Sequence, residues 1–148
     1  MTQHKLLIGG KLVDGASTMD VINPATGKLL MQAPRGSAEQ ANAAVAAAKA
    51  AFPAWSATSP AKRRETIGKF ADALEARQED LATLLTQEQG KPINDARGEI
   101  GGGIAFIRYF SAMELGPKVL EDGPTRRVEQ IRKPLGVVAA IIPWNFPL

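Results

Sequence analysis

The stretch that decides the fold is GVVAAIIPWNFP, residues 136–147, in which an apolar run passes directly into a short loop bounded by prolines. The six apolar residues from Val137 to Ile142 are rich in β-branched side chains and predict a strand covered on both faces in a parallel sheet. Ligands of open α/β sheets bind beyond the carboxyl ends of such strands. The sequence therefore predicts a ligand site at residues 143–147.

This loop is stiff, because Pro143 and Pro147 fix φ at both of its ends. An asparagine presented in this way, Asn145, could direct its side-chain amide at a developing oxyanion, a role worth about 10²–10³ in rate. The alternative is that Asn145 only satisfies backbone groups in a turn while Trp144 fills a crevice. The residues alone leave both interpretations open.

Composition narrows the class of protein. The chain has 148 residues and a net charge of +3, and no basic face with interleaved aromatic residues indicates nucleic-acid binding. Because cysteine is absent, these residues contain no disulfide, no thiolate metal site and no cysteine nucleophile. The one histidine, His4, is interpreted as a solvated terminal residue, and no metal site is expected.

The sequence shows no membrane or export signal. No apolar run reaches the roughly 18 residues of a spanning helix, and the first five residues do not resemble the start of a signal peptide. We therefore expect a cytoplasmic protein without a membrane partner.

The first 35 residues predict two β-hairpins. Gly9-Gly10 separates two short apolar runs, at 5–8 and 11–13. The turn 23–27 separates runs at 19–22 and 28–32, with Pro24 presetting φ and Gly27 supplying a left-handed position.

Helices follow the hairpins. Ser37 and Gln40 form a capping box for a helix that we expect to end at Pro53, with Trp55 in a linker as a hydrophobic plug. Ser59-Pro60 starts a second helix, with a predicted buried face of Ile67, Phe70, Ala71 and Leu74.

A third apolar set, Leu81, Leu84 and Leu85, stops at Gly90. A further helix is predicted from near Asn94 to Gly116, with Ala96, Ile100, Ile104, Ile107 and Phe110 facing inward. Residues 101–103 are three glycines, which indicate close packing or a bend. Neither these glycines nor Gly90-Lys91 complete a nucleotide-binding motif. The charged run 126–132 predicts an edge strand or an exposed arm.

Several segments, taken in order, carry a family resemblance: residues 8–10 (IGG), 23–27 (NPATG), Glu88 with 90–92 (GKP), 98–100 (GEI), 133–138 (KPLGVV) and 141–147 (IIPWNFP). Together they resemble the amino-terminal third of the aldehyde dehydrogenase superfamily over nearly the whole chain. The resemblance implies an α/β fold: the hairpins and helices of a Rossmann-type cofactor domain, truncated after its first sheet strand. It divides the chain into a hairpin and helical part at 1–118, an oligomerisation-type strand segment at 119–134, and the first strand with its active-site loop at 135–148.

The resemblance also implies a function. Such enzymes oxidise an aldehyde to a carboxylic acid with NAD or NADP, through a cysteine thiohemiacetal and a thioester that a glutamate helps to hydrolyse. In these terms Asn145 matches the catalytic oxyanion-stabilising asparagine, and the cofactor-binding segment consists of Ile141, Ile142, Pro143, Trp144 and Asn145. The expected partners are a small aldehyde and further copies of the complete protein.

The sequence departs from the complete family pattern, because the nucleophile and the general base are missing from these residues. We therefore expect a fragment of an aldehyde dehydrogenase that is inactive alone. The alternative is a non-catalytic interaction or oligomerisation module that binds full-length subunits through its charged strand.

Overall fold

The computed structural model describes residues 4–148, and the expectation about the extreme amino terminus falls partly on Met1–Gln3, which lie outside the described residues. Two antiparallel hairpins come first: β1 (Leu6–Ile8) with β2 (Lys11–Val13), and β3 (Ser17–Asn23) with β4 (Lys28–Arg35). Both predicted hairpins are confirmed. Gly9 and Gly10 have φ of 59° and 76°, and Gly27 has φ of 67°, which are the left-handed values that these turns require.

Four helices follow: α1 (Ala38–Ala57), α2 (Pro60–Glu75), α3 (Gln78–Gln89) and α4 (Ile93–Ala112). The predicted capping box is present at the start of α1, where the Gln40 amide N–H bonds to Ser37 Oγ and the Gln40 side chain accepts from the Ser37 N–H. The Gln40 side chain also accepts from the Ala16 N–H at 3.0 Å and donates to the Asp14 carbonyl at 2.8 Å. One side chain therefore joins the start of α1 to the segment between the hairpins.

The prediction that Pro53 ends α1 is wrong, and so is the placement of Trp55 in a linker. The helix continues through Pro53 to Ala57, with Trp55 in its last turn and 44% exposed. Two side-chain hydroxyl groups donate hydrogen bonds to backbone carbonyls there: Ser56 to the Pro53 carbonyl and Thr58 to the Ala54 carbonyl. These bonds satisfy carbonyls at the end of the helix, where the last four have no intrahelical donor. Pro53 itself removes one backbone bond, and the helix continues past it for one turn.

A small core lies between α2, α3 and α4. Its buried residues are Ala71, Ala82, Leu85, Ala96, Ile100 and Ile104, with Leu74, Leu81, Ile93 and Ile107 partly buried against them. Two predicted core residues are wrong, because Phe70 is 57% exposed and Phe110 is 54% exposed. Three of the six buried residues are alanines, so the space between the helices is narrow.

After α4 comes a third antiparallel hairpin, β5 (Lys118–Asp122) with β6 (Arg127–Gln130). Every residue of β5 is exposed, and the Arg127–Asp122 ion pair links the two strands. The charged segment is therefore an exposed strand, as predicted.

The predicted strand at Val137–Ile142 is not formed within the described residues, where 131–148 contain no helix or strand. A buried parallel strand needs hydrogen-bonded neighbours on both sides, and none of the three hairpins supplies one. Val138 is 70% exposed and Ile141 is 96% exposed.

Candidate active site

The loop that follows this extended segment lies against the junction between α3 and α4. The side-chain amide of Gln89 donates to the carbonyl of Trp144. Lys91 Nζ donates to the carbonyl of Asn145 at 2.8 Å. Two neighbouring carbonyls of the loop are thus held by two side chains of one junction.

The junction has a defined backbone. Gly90 ends α3 with φ of 79°, and its N–H bonds to the Thr86 carbonyl at 2.8 Å, which is the usual left-handed helix ending. Pro92 precedes α4 at its N-cap with φ of −53°. Lys91 therefore lies between two residues of restricted backbone conformation. Its Cα is held in place, and its side chain extends from there towards the loop.

Lys91 also pairs with Glu99 of α4. The two side chains form an ion pair in which Glu99 is only 4% exposed and Lys91 is 20% exposed. The same ammonium lies 4.8 Å from the centroid of the Phe146 ring, within the range of a cation–π interaction. Glu99 Oε1 is buried and has no hydrogen-bond partner among the described residues.

The last residue contacts α4 at one of its three consecutive glycines. A Cβ added at Gly103 would lie 3.2 Å from Leu148 Cδ2, whereas one at Gly102 would meet open space. The prediction of close packing holds at Gly103 and does not hold at Gly102.

A cleft of about 840 Å³ lies between this loop, the junction and α4. Its walls combine apolar side chains with the buried ion pair and include Lys91, Glu99, Phe106, Trp144 and Phe146. A mainly apolar cleft with a few convergent polar groups is the usual form of a small-molecule site.

Of the predicted site residues, Trp144 lines the cleft, whereas the other four do not. Ile141, Ile142, Pro143, Trp144 and Asn145 are all exposed, with Trp144 at 81%. The side-chain amide of Asn145 makes no hydrogen bond to any residue in 4–148, although its carbonyl is held by Lys91. The structure therefore leaves the amide available to a ligand.

Sequence reasoning missed Gln89, Lys91 and Glu99, which hold the loop in the structure. A signal was present, because Gly90-Lys91-Pro92 and Gly98-Glu99-Ile100 were among the segments that carry the family resemblance. Nothing in their sequence separation of eight residues indicates that Lys91 and Glu99 bracket a loop more than forty residues later.

The resolved pKa shifts lie away from the loop. A hydrogen bond from Arg97 lowers the pKa of Glu79, and hydrogen bonds from Lys69 and Lys62 lower the pKa of Glu65 to about 2. All of these pairs are on exposed helix surfaces. In residues 4–148 no group of three His, Cys, Asp or Glu side chains could hold a metal ion, and no helix there is long and apolar enough to cross a membrane.

Comparison with known proteins identifies the family to which this chain belongs. The aldehyde dehydrogenase family model matches residues 12–148. The chain belongs to the aldehyde dehydrogenase family, and its structure resembles the amino-terminal part of solved aldehyde dehydrogenases.

Individual relatives show the same relationship. The chain is 41% identical over 148 residues to the non-phosphorylating aspartate-semialdehyde dehydrogenase of Halomonas elongata, covering 95% of this chain and 30% of that protein. The structure of an NADP-dependent enzyme of Escherichia coli matches with a TM-score of 0.90 and 36% identity, over 98% of this chain and 31% of that one. PnpE in complex with nicotinamide adenine dinucleotide matches with a TM-score of 0.75 and 38% identity, over 83% and 26%. The chain thus spans about 30% of the length of the curated relatives it matches.

Proposed function

We propose that this chain contributes the oxyanion-stabilising amide and one wall of the cofactor cleft to an NAD(P)-dependent aldehyde dehydrogenase. The observation that carries the proposal is the state of Asn145, whose carbonyl is fixed by Lys91 while its exposed side-chain amide has no partner in residues 4–148. Family membership supplies the reaction: an aldehyde is oxidised to a carboxylic acid.

The amide of Asn145 acts on charge that develops during the reaction. When a thiolate attacks the aldehyde carbon, the carbonyl oxygen becomes an oxyanion, and a fixed N–H donor stabilises it more than it stabilises the ground state. The thiohemiacetal then loses hydride, and a thioester remains for hydrolysis. Since the 148 residues contain no cysteine, the thiolate belongs outside them. The family resemblance implies the same for the general-base glutamate, and we expect these residues alone to be inactive.

The proposed cofactor wall consists of Ile141, Ile142, Pro143, Trp144 and Asn145. A nicotinamide held there would supply the hydride acceptor. The exposed backbone of this segment supports the assignment, because residues 136–143 make no backbone hydrogen bonds within the described chain and leave polar groups available to a ligand or a neighbouring strand. Relatives include an enzyme described as NADP-dependent and one bound to nicotinamide adenine dinucleotide, so NAD or NADP is proposed here.

The hairpin β5–β6 supports a second role, in oligomerisation. Both of its outer edges are unpaired within residues 4–148, and Val119 and Leu120 are 45% and 57% exposed. Such a hairpin can add to the sheet edge of another subunit. The same observation favours the alternative of a non-catalytic module that binds full-length subunits.

A chimera tests the proposed catalytic function. Residues 1–148 replace the matching segment of the Halomonas elongata enzyme, and reduction of NAD and NADP by small aldehydes is followed at saturating substrate. Asn145→Ala is expected to lower kcat by about 10²–10³. The matched control is Asn42→Ala, which removes an exposed asparagine of α1 and should leave kcat unchanged.

Two results would contradict the proposal. A kcat of the Asn145→Ala chimera equal to that of the unsubstituted chimera would show that Asn145 does not take part in catalysis. Aldehyde-dependent NAD(P) reduction by the 148 residues alone would show that no thiolate from outside is needed. An inactive but folded chimera that still associates with intact subunits would favour the binding module.

A further inference from the structure

We propose that Lys91, held in place by Glu99, is a positioning residue that sets the orientation of Asn145; this inference rests on the catalytic role proposed for Asn145. Three groups surround the Lys91 ammonium: the Glu99 carboxylate, the Asn145 carbonyl at 2.8 Å and the Phe146 ring at 4.8 Å. Two consecutive loop residues are therefore fixed by one charged group.

Because the Glu99 carboxylate is buried, the Lys91 ammonium has to stay beside it. The Glu99 side chain is 4% exposed, and its only polar partner in residues 4–148 is Lys91, because Oε1 has none. A buried carboxylate without a partner is strongly unfavourable. Lys91 cannot leave for solvent without stranding this charge, and its two contacts with the loop persist for the same reason.

The loop is also anchored on both sides of Asn145. Gln89 holds the preceding carbonyl, of Trp144, and Leu148 packs on Gly103 of α4. With the peptide on each side restrained, the Cα–Cβ direction of Asn145 is fixed, and only its own rotamer remains free. A displacement of about 1 Å at a catalytic group can cost about 10²-fold in rate, so this restraint is of direct use to an oxyanion donor.

A competing explanation is that Lys91 and Glu99 only stabilise the fold. The two explanations differ in how the effect of Lys91 depends on Asn145. If Lys91 acts through Asn145, its removal costs nothing more once the amide is gone. If it only stabilises the fold, the two losses multiply.

The first test is a double-mutant cycle on kcat in the chimera. Lys91→Met is expected to lower kcat by about 10²-fold with a smaller effect on KM, and by less than about 3-fold in the Asn145→Ala background. Lys69→Met is the matched control, because it removes an exposed ion pair with Glu65 on α2 that does not contact the loop.

The second test needs no activity. The chain has two tryptophans, so Trp55→Phe leaves Trp144 as the only reporter, directly on the loop. Lys91→Met should add a fast component to its anisotropy decay while circular dichroism keeps its helical signal. Glu99→Gln, which retains shape and removes the charge, should give a smaller change in the same direction, and it replaces Lys91→Met if that variant does not fold.

The outcomes separate the two proposals. Multiplicative losses in the cycle, or an unchanged anisotropy decay in folded Lys91→Met and Glu99→Gln, would overturn the positioning role. Wild-type kcat in Asn145→Ala alone would instead overturn the catalytic role of Asn145, whatever the loop does in fluorescence.

Discussion

Gly90 lies directly against Pro24, so that a Cβ added to the glycine would be 2.9 Å from Pro24 Cγ. This contact joins the β3–β4 turn to the junction that carries Gln89 and Lys91. A glycine is required here for two reasons. Its φ of 79° is left-handed, and Pro24 leaves no space for a side chain.

Gly90→Ala should therefore destabilise the chain by more than the conformational cost alone. A non-glycine residue in the left-handed region costs about 1–2 kcal/mol, and the clash with the rigid proline ring adds to it. Gly27→Ala is the control, since Gly27 has φ of 67° but open space around it. Equal losses of unfolding free energy in urea for the two variants would show that the Pro24 contact contributes nothing.

Alanine substitutions at two adjacent glycines of α4 distinguish the effect of helix propensity from the effect of packing. Gly102→Ala is expected to stabilise α4 by about 0.5–1 kcal/mol, because a Cβ there meets no atom within 4 Å. Gly103→Ala should give a smaller gain, because Leu148 has to move from its position 3.2 Å away. Urea denaturation gives both values, and the methyl resonances of Leu148 should shift only in the second variant.

The core of the three helices predicts a contrast between two apolar residues. Ile100 is 2% exposed, so Ile100→Ala should cost about 2–5 kcal/mol. Phe70 is 57% exposed, and Phe70→Ala should cost far less although the removed side chain is larger. A larger loss at Phe70 would mean that the sequence pattern was right about its burial.

The ion pairs of Glu65 predict that its carboxyl group titrates at an unusually low pH. Hydrogen bonds from Lys69 and Lys62 lower its pKa from 4.5 to about 2, so the stabilisation is present above the unfolded pKa and is lost as the pH falls through the folded value. Both partners are exposed, so screening keeps the effect on unfolding small. A ¹³C NMR titration should place the Glu65 midpoint near 2 at low salt, and Lys69→Met should raise it. A midpoint near 4.5 in the unmodified chain would exclude the pairing.

The exposed segment before the loop predicts self-association. Leu135 is 95% exposed and Ile141 is 96% exposed, and apolar surface of this kind promotes association. Leu135→Lys with Ile141→Lys should reduce the apparent mass in analytical ultracentrifugation and leave helical circular dichroism unchanged. A monodisperse monomer before substitution would remove the basis of this expectation.

Local signals predicted the local structure well. The Ser37–Gln40 capping box, the Ser59-Pro60 start and the Gly90 ending are each set by a few adjacent residues, and the structure has all three. The end of α1 was missed because the rule that proline ends a helix does not include the bonds that Ser56 and Thr58 make to carbonyls of the last turns.

Features that depend on contacts between distant segments could not be predicted from the sequence pattern. The strand expected at 137–142 depends on neighbours in a sheet, which the described residues do not provide, and apolar content alone cannot supply them. In the candidate site, Asn145 was found from its loop and from family resemblance. Lys91 and Glu99 escaped because the role proposed for them depends on a contact between segments distant in sequence.

The triple use of Gln40 has a consequence for how the chain unfolds. Its side chain closes the capping box and spans 24 to 26 positions to residues 16 and 14. Loosening the first turn of α1 therefore releases the hairpin layer as well, and the two should exchange their amide hydrogens as one cooperative unit. Substituting alanine at this single position would divide that unit, so that the β-layer opens on its own while the helical layer remains protected.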